Sequence, residues 1–361
     1  MEREPKLLYL CPDNQEPAGG VRVIYRHVDV LRRHGYQAYV VHERQGFRCS
    51  WFRNETPVLG WSSRIHLADA SLYSRTRRHI GRRFRDVPSD ALFLHLQEAP
   101  SFPIGGNDVV VVPEMFGPRL AEISPGTPKV IFNQNAYFTF KTYPPEPSAA
   151  SSPYRHPEVV ATFAISEDSR DVLEWLFPGA TIHRVRWSLD PSVFHAGERA
   201  RRRRISYMNR RGAADAAHVL NALAARGCLD GYEVQAIDRL DEDRVAESLR
   251  SALVFLSLGY HEGLPKPPAE AMACGAIVVG YDGFGGREYM LPDFAFPVPT
   301  GDLRAFANCL EQVLALNDRR PGELSERAAR AATFIGERYS PEREESELLA
   351  AWSDVLDSVG K

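Results

Sequence analysis

A chain of 361 residues is longer than one ordinary hydrophobic core supports and predicts two domains. Apolar residues at 44% and charged residues at 25% fit a soluble globular protein and exclude a disordered or fibrous one. A net charge of −3, with a pI near 6.4, excludes the global basic field of a nucleic-acid binder.

The opening "MEREPKLLYLC" is too charged for a signal peptide, and no apolar run approaches the roughly 20 residues of a membrane span. Any membrane contact is therefore expected to be peripheral. Cys11, Cys49, Cys228, Cys274 and Cys309 show no C-x-x-C spacing, which predicts a reducing, cytoplasmic compartment and no zinc site.

In chain order, "KLLYLC" reads as a strand and leads through the Pro/Gly-rich loop "PDNQEPAGG" into a helix. That helix, "VRVIYRHVDVLRRHG", places Ile24, Val28 and Leu31 on one face and stops at Gly35. Further strands are expected at "QAYVVHE", "DALFLHL", "DVVVVPE", "KVIFNQN", "VVATFAIS" and "TIHRVRW", with helices between several of them. Val/Ile-rich runs alternating with helices predict a parallel sheet covered on both faces. Residues 143–157 read as a long loop, and 44–80 carry no readable pattern. Proline, glycine and dense charge at 188–204 mark the expected hinge.

The α/β rhythm then restarts with strand "RISYMN", helix "AADAAHVLNALAARG", strand "YEVQAI", helix "DEDRVAESLRSA" and strands "LVFLSL" and "AIVVGY". Three helical stretches close the chain. The expectation is an α/β protein of two facing Rossmann-like domains, 1–190 and 191–340, with helix 341–361 packing back across the hinge. Ligands in such folds bind beyond the carboxyl ends of strands, here in an interdomain cleft.

The stretch "GYHEGLPKPPAEAMACG", 259–275, is expected at such a strand end. It sets Glu262 and Glu270 eight positions apart, around Gly263, Lys266 and a helix start suited to proline. Free N–H groups and the positive dipole end in the first helical turn suit phosphate, and Lys266 adds a charge. Glu270 is expected in or near that first turn. "SYMNRRG" brings Arg210 and Arg211 to another strand end, where they could meet an anion or form a basic surface turn. In the first half, Gly19 and Gly20 precede a helix and could admit a phosphate or sugar. Asn133, Gln134 and Asn135 could read sugar hydroxyls and Tyr137 could stack on a ring; loop capping accounts for them equally. His95 and Glu114 sit at predicted strand ends and could touch an acceptor or could be structural. The basic runs 75–85 and 199–204 fit either solvated faces or contact with an anionic membrane or charged acceptor.

The run "HEGLPKPPAEAMACGAIVVGYDGFGGREYM" resembles the E-x7-E region of retaining GT-B glycosyltransferases, family 4-like. The spacing of Glu262 and Glu270 and the "EAMACG" run match the family pattern; "EGLPK" and "G-A-I-V-V" depart from it. The resemblance implies a GT-B fold and transfer of a sugar from a nucleotide-diphosphate sugar (UDP-, GDP- or dTDP-linked) to a glycan, lipid-linked or small-molecule acceptor, with retention and without a metal or other cofactor. It assigns Glu262 to donor-sugar hydroxyls and Glu270 to the ribose. The backbone about His261, Gly263, Leu264 and Lys266 would face the diphosphate, with Arg210 and Arg211 on the same group. The turn "YDGFGG" is similar to the family's glycine-rich loop near the donor, with Glu288 expected to open a helix. A sugar-nucleotide epimerase or phosphorylase of the same fold, and a non-catalytic nucleotide- or glycan-binding module, are the alternatives. A nicotinamide oxidoreductase is disfavoured by the missing G-x-G-x-x-G fingerprint.

Overall fold

The computed structural model describes residues 4–65, 100–141, 143, 152–197 and 202–360. His95, the expected strand at 90–96 and the basic run at 75–85 lie outside the described residues. The chain divides into two compact units. Unit 1 comprises Met1–Ala164, Val172–Arg184 and Leu348–Lys361; unit 2 comprises Ile165–Asp171 and Val185–Glu347. The stretch 188–204 therefore falls inside unit 2.

Unit 1 is built on β1 (Lys6–Leu10), α1 (Gly19–Arg33), β2 (Gln37–Gln45), β3 (Val58–Ile65), β4 (Val109–Pro113), β5 (Lys129–Asn133), β6 (Val159–Ala164) and β7 (Ile182–Arg184). The described strands form one parallel sheet in the order β3-β2-β1-β4-β5-β6-β7. Every residue of β4 and β5 is buried, as central strands covered on both faces require. β3 escapes sequence reading for the complementary reason. It ends the described sheet, so "VLGWSSRI" mixes Gly, Ser and Arg with its apolar residues.

The helix α2 (Glu167–Leu176) follows β6, and α8 (Pro341–Val359) closes the chain. Trp352 of α8 is fully buried in unit 1. Its Nε1–H donates to the Tyr9 hydroxyl at 2.8 Å, and its ring meets Phe163 edge-on at 5.5 Å.

Unit 2 is built on β8 (Arg204–Met208), α3 (Ala213–Ala225), β9 (Glu233–Ile237), α4 (Glu242–Ser251), β10 (Val254–Ser257), α5 (Lys266–Ala273), β11 (Ile277–Gly280), β12 (Phe296–Pro297), α6 (Leu303–Arg319) and α7 (Pro321–Arg338). Its described strands are parallel in the order β12-β11-β10-β8-β9. Ile205, Val254, Leu256, Ile277 and Val279 supply the sheet side of the core, and Phe306, Leu310 and Val313 of α6 pack against it. The α4 start is as its sequence implies: Asp241 caps it by accepting from Arg244 N–H at 2.9 Å, with Glu242 and Asp243 in the first turn. Of the basic run 199–204, Arg203 pairs with Asp318 at 2.5 Å and stacks on Tyr232, while buried Arg204 pairs with Glu233. No described helix is long and apolar enough to cross a membrane.

Each sheet reverses its winding direction once, between β1 and β4 in unit 1 and between β10 and β8 in unit 2. Crevices at such reversals, beyond the carboxyl ends of the strands, are where open α/β sheets bind ligands.

Trp352→Ala would open a cavity and strand the Tyr9 hydroxyl. It is expected to cost about 3–5 kcal/mol in urea unfolding, and Trp352→Phe about 1–3 kcal/mol through the lost hydrogen bond and the space left by the smaller ring.

Candidate functional site

At the reversal in unit 2, β8 and β10 run side by side, with Ile205 opposite Val254 and Tyr207 opposite Leu256. Their exits deliver two loops to one place. β8 continues into exposed Arg210 and Arg211 and then Gly212, which caps α3 with a φ of 71°. A Cβ on Gly212 would lie 2.5 Å from Cβ of Leu258, so glycine lets this turn close against the exit of β10. β10 continues through Gly259 and Tyr260 to His261 and Glu262. The guanidinium of Arg211 forms an ion pair with the Glu262 carboxylate, and the charge of Arg210 also acts on that group. Burial raises the Glu262 carboxyl above its ordinary range, with the two arginines pulling it back. Its side chain is 18% exposed and that of Arg211 is 47% exposed, so the pair is open to solvent on the arginine side.

The helix expected after this loop is α5. Pro265 is its N-cap, Pro267 lies in the first turn, Cys274 is its C-cap, and Gly275 follows with a φ of 82°. No acidic residue occupies the first turn. Glu270 is the fifth helical residue, directly after the first turn and so near it, as expected. Lys266 opens the helix with its ammonium 5.2 Å from the Trp187 ring centroid.

The loop before α5 is held by its carbonyl oxygens. Glu262 C=O accepts from Gly285 N–H at 3.1 Å, Gly263 C=O from Ser166 Oγ at 2.6 Å, Leu264 C=O from Trp187 Nε1 at 3.1 Å, and Pro265 C=O from the Tyr289 hydroxyl at 2.5 Å. Glu262 N–H in turn donates to Gly283 C=O at 2.8 Å. A Cβ on Gly285 would stand 1.7 Å from Gly263 O, so the glycine-rich turn 283–286 meets the loop through bare backbone. Glu288 closes the 3-10 turn Gly285–Glu288; the helix it was expected to open is not there. Its carboxylate accepts from Glu167 N–H at 2.9 Å and from the Tyr339 hydroxyl at 2.5 Å. Phe284 lies 5.3 Å from the exposed His261 ring, centroid to centroid, and the Arg287 guanidinium lies over the Phe284 ring, 4.7 Å from its centroid.

At the reversal in unit 1, Gly19 and Gly20 are the first residues of α1, whose N-terminus has no side-chain cap and no acid in its first turn. The Gln134 amide lies against Gly20, donating to its carbonyl at 3.3 Å, and Gln134 N–H donates to Glu114 at 3.2 Å. Glu114, directly beyond β4, is 9% exposed. Burial pushes its carboxyl up to about 7, against the opposing pull of backbone N–H groups at Gln134, Asn135 and Glu114 itself. Asn133 is fully buried, and its amide nitrogen donates to Thr139 at 3.0 Å and to Tyr154 at 2.7 Å. Asn135 accepts from Tyr137 N–H at 3.1 Å and caps the short turn Ala136–Phe138. Asn133 and Asn135 thus have partners within unit 1, and the Gln134 side chain is the one that reaches α1, at Gly20.

A two-unit architecture of parallel Rossmann-type sheets is the GT-B fold of glycosyltransferases. The fold is similar to that of sucrose-phosphate synthase from Thermosynechococcus elongatus, at 11% identity and a TM-score of 0.65, covering 99% of this chain and 100% of that one. It is also similar to a glycosyltransferase from Rickettsia africae, at 11% identity and a TM-score of 0.65, covering 98% and 99%. HepE of Anabaena, solved in complex with UDP-glucose, is similar at 12% identity and a TM-score of 0.63, covering 97% and 99%. The family described as Glycosyl transferases group 1 matches residues 225–333. That stretch contains Glu262, Glu270 and the glycine-rich turn, so the likeness to GT-B glycosyltransferases read there is met by the family match over 225–333 and by the fold. The search of curated proteins finds no match.

Ser166, Trp187, Tyr289 and Tyr339 do not stand out in the sequence. Their partners in the loop and its surroundings lie 24 to 97 residues away along the chain, and no local pattern marks a side chain that serves a distant carbonyl.

The unit 1 cluster carries a pH signature. Between the ordinary carboxyl value of 4.5 and about 7, folded Glu114 retains a proton that the unfolded chain has lost. Stability is therefore expected to fall as pH rises through that window and to level off above it. In urea unfolding from about pH 4.5 to 8, Glu114→Gln should gain on the wild type as pH rises, by up to about 3 kcal/mol at the top.

Proposed function

We propose that the protein transfers a sugar from a nucleoside-diphosphate sugar to an acceptor, with retention at the anomeric carbon, and that unit 2 binds the donor. The observation that carries this reading is the meeting of Arg210 and Arg211 with Glu262 at the β8–β10 reversal, eight residues before Glu270 and directly before the N-terminus of α5. The group 1 glycosyltransferase match over 225–333 and the UDP-glucose held by the similarly folded HepE support it.

The chemistry follows from charge. Breaking the bond from sugar to diphosphate leaves negative charge on the departing phosphate oxygen. Arg210, Arg211, Lys266 and the amides at the start of α5 are fixed cationic or dipolar partners for that charge. Once a diphosphate engages Arg211, the Glu262 carboxylate is released to accept from sugar hydroxyls. Glu270, one helical turn further along, accepts from the ribose. A carboxylate offers acceptors only, which suits paired hydroxyls. The departing phosphate oxygen accepts the acceptor's proton on the same face, so retention needs no enzymic nucleophile. Acceptor or sugar contacts are assigned to unit 1, at Asn133, Asn135, Tyr137 and Glu114, and Gly19 and Gly20 at the start of α1 to a phosphate or sugar.

A thermal-shift panel of UDP, GDP, dTDP and their sugar conjugates tests the reading. One base is expected to stabilise the protein above the others, and no shift with any of them would sink the donor assignment. Glu270→Ala and the double variant Arg210→Ala/Arg211→Ala are expected to weaken diphosphate binding about 10- to 100-fold, since each loses charge-assisted hydrogen bonds. Glu262→Ala is expected to lower kcat with a smaller change in diphosphate affinity. Unchanged affinity in the arginine variant removes the diphosphate role.

A further inference from the structure

We propose that Ser166 and Tyr289 are positioning residues that fix the peptide planes carrying the N–H groups of Leu264 and Lys266, so that these amides stand ready for the donor diphosphate, with Trp187 holding the plane between them. The inference rests on the donor reading of unit 2 and names the groups that make its loop competent.

The geometry is that of four successive carbonyls. Those of Glu262, Gly263, Leu264 and Pro265 each receive a hydrogen bond from a different segment: Gly285 N–H, Ser166 Oγ, Trp187 Nε1 and Tyr289 O–H. In a planar trans peptide the N–H of the next residue points opposite to the carbonyl. Holding these oxygens therefore directs the N–H groups of Gly263, Leu264 and Lys266 away from the groups that hold them. Pro265 contributes no N–H, so the amide count is small and the orientation of each one matters.

The three side chains are themselves fixed. Ser166 Oγ also accepts from Ser169 N–H at 3.0 Å. Trp187 stacks on Tyr339 at 4.8 Å, and Tyr289 meets the same ring edge-on at 5.7 Å. All three are buried. A buried hydroxyl or indole N–H given to a loop carbonyl selects one peptide orientation over its flipped alternative, because the flipped form leaves that donor unsatisfied away from water. Preset donors cost no reorganisation when charge arrives.

The test compares the full-length wild type with Tyr289→Phe and Ser166→Ala. Calorimetric or NMR titration gives the affinity of each for UDP, GDP and dTDP and for the parent nucleosides. Each variant is expected to bind the preferred diphosphate about 3- to 10-fold more weakly, with the nucleoside affinity within about twofold. Such a split is not produced by a general loss of packing. Diphosphate affinity unchanged in both variants, or an equal loss for nucleoside and diphosphate, overturns the inference. Ser166→Ala also loses the bond from Ser169, so it is the variant at risk of unfolding. Tyr289→Phe keeps the ring against Tyr339 and carries the test by itself. A wild type that binds no diphosphate removes the donor reading, and this inference with it; binding by the wild type with unchanged variants removes the inference alone.

Discussion

The site in unit 2 depends on one pairing, the parallel registration of β8 with β10. Ile205, Ser206 and Tyr207 stand opposite Val254, Phe255 and Leu256, so the two strands end at the same level. Because the sheet reverses its winding between them, neither exit is covered by a crossover from the other. The arginine loop and the acidic loop leave into one space, and Gly212 lets them close to side-chain distance. A slip of one residue in either strand would turn the side chains at its exit to the opposite face. The buried residues of both strands make such a slip costly.

Around that pairing, unit 2 surrounds the 262–265 loop with aromatic and acidic groups. Tyr339 is the centre of this shell. It stacks on Trp187, meets Tyr289 edge-on and donates to Glu288, which also receives the first N–H of α2. Nearby, Arg186 spreads its guanidinium over Glu347 and the Arg338 carbonyl, and Ser188 donates to the buried Glu344 at 2.6 Å. Buried ionic groups of this kind add little net stability over apolar packing, but their hydrogen bonds favour one arrangement of the shell over others.

Much of this was legible in the sequence, and the parts that were not share a cause. Central strands such as β4 and β10 announce themselves because burial on both faces demands unbroken apolar runs. β3, at the end of the described sheet, is relieved of that demand, and its Gly, Ser and Arg hide it. The glutamate pair, the arginines and the glycine-rich turn were readable because spacing along one loop carries their meaning. Asn133 and Asn135 stayed open between sugar contact and loop capping because a polar strand end is ambiguous until its hydrogen-bond partners are known. The carbonyl holders Ser166, Trp187 and Tyr289 were invisible because their meaning resides in contacts between distant segments.

The ion pair of Arg211 with Glu262 has a bearing on how binding would respond to its medium. In the protein without donor, the arginine is neutralised by a group of its own fold. A diphosphate that takes over Arg211 would replace one internal counter-charge with an external one, instead of discharging an exposed cation. Fewer small ions would then be displaced from the surface than the count of basic residues suggests. Affinity at this site would accordingly tolerate changes in ionic strength better than a simple basic patch, whose attraction falls away within a screening length of about 8 Å at physiological salt.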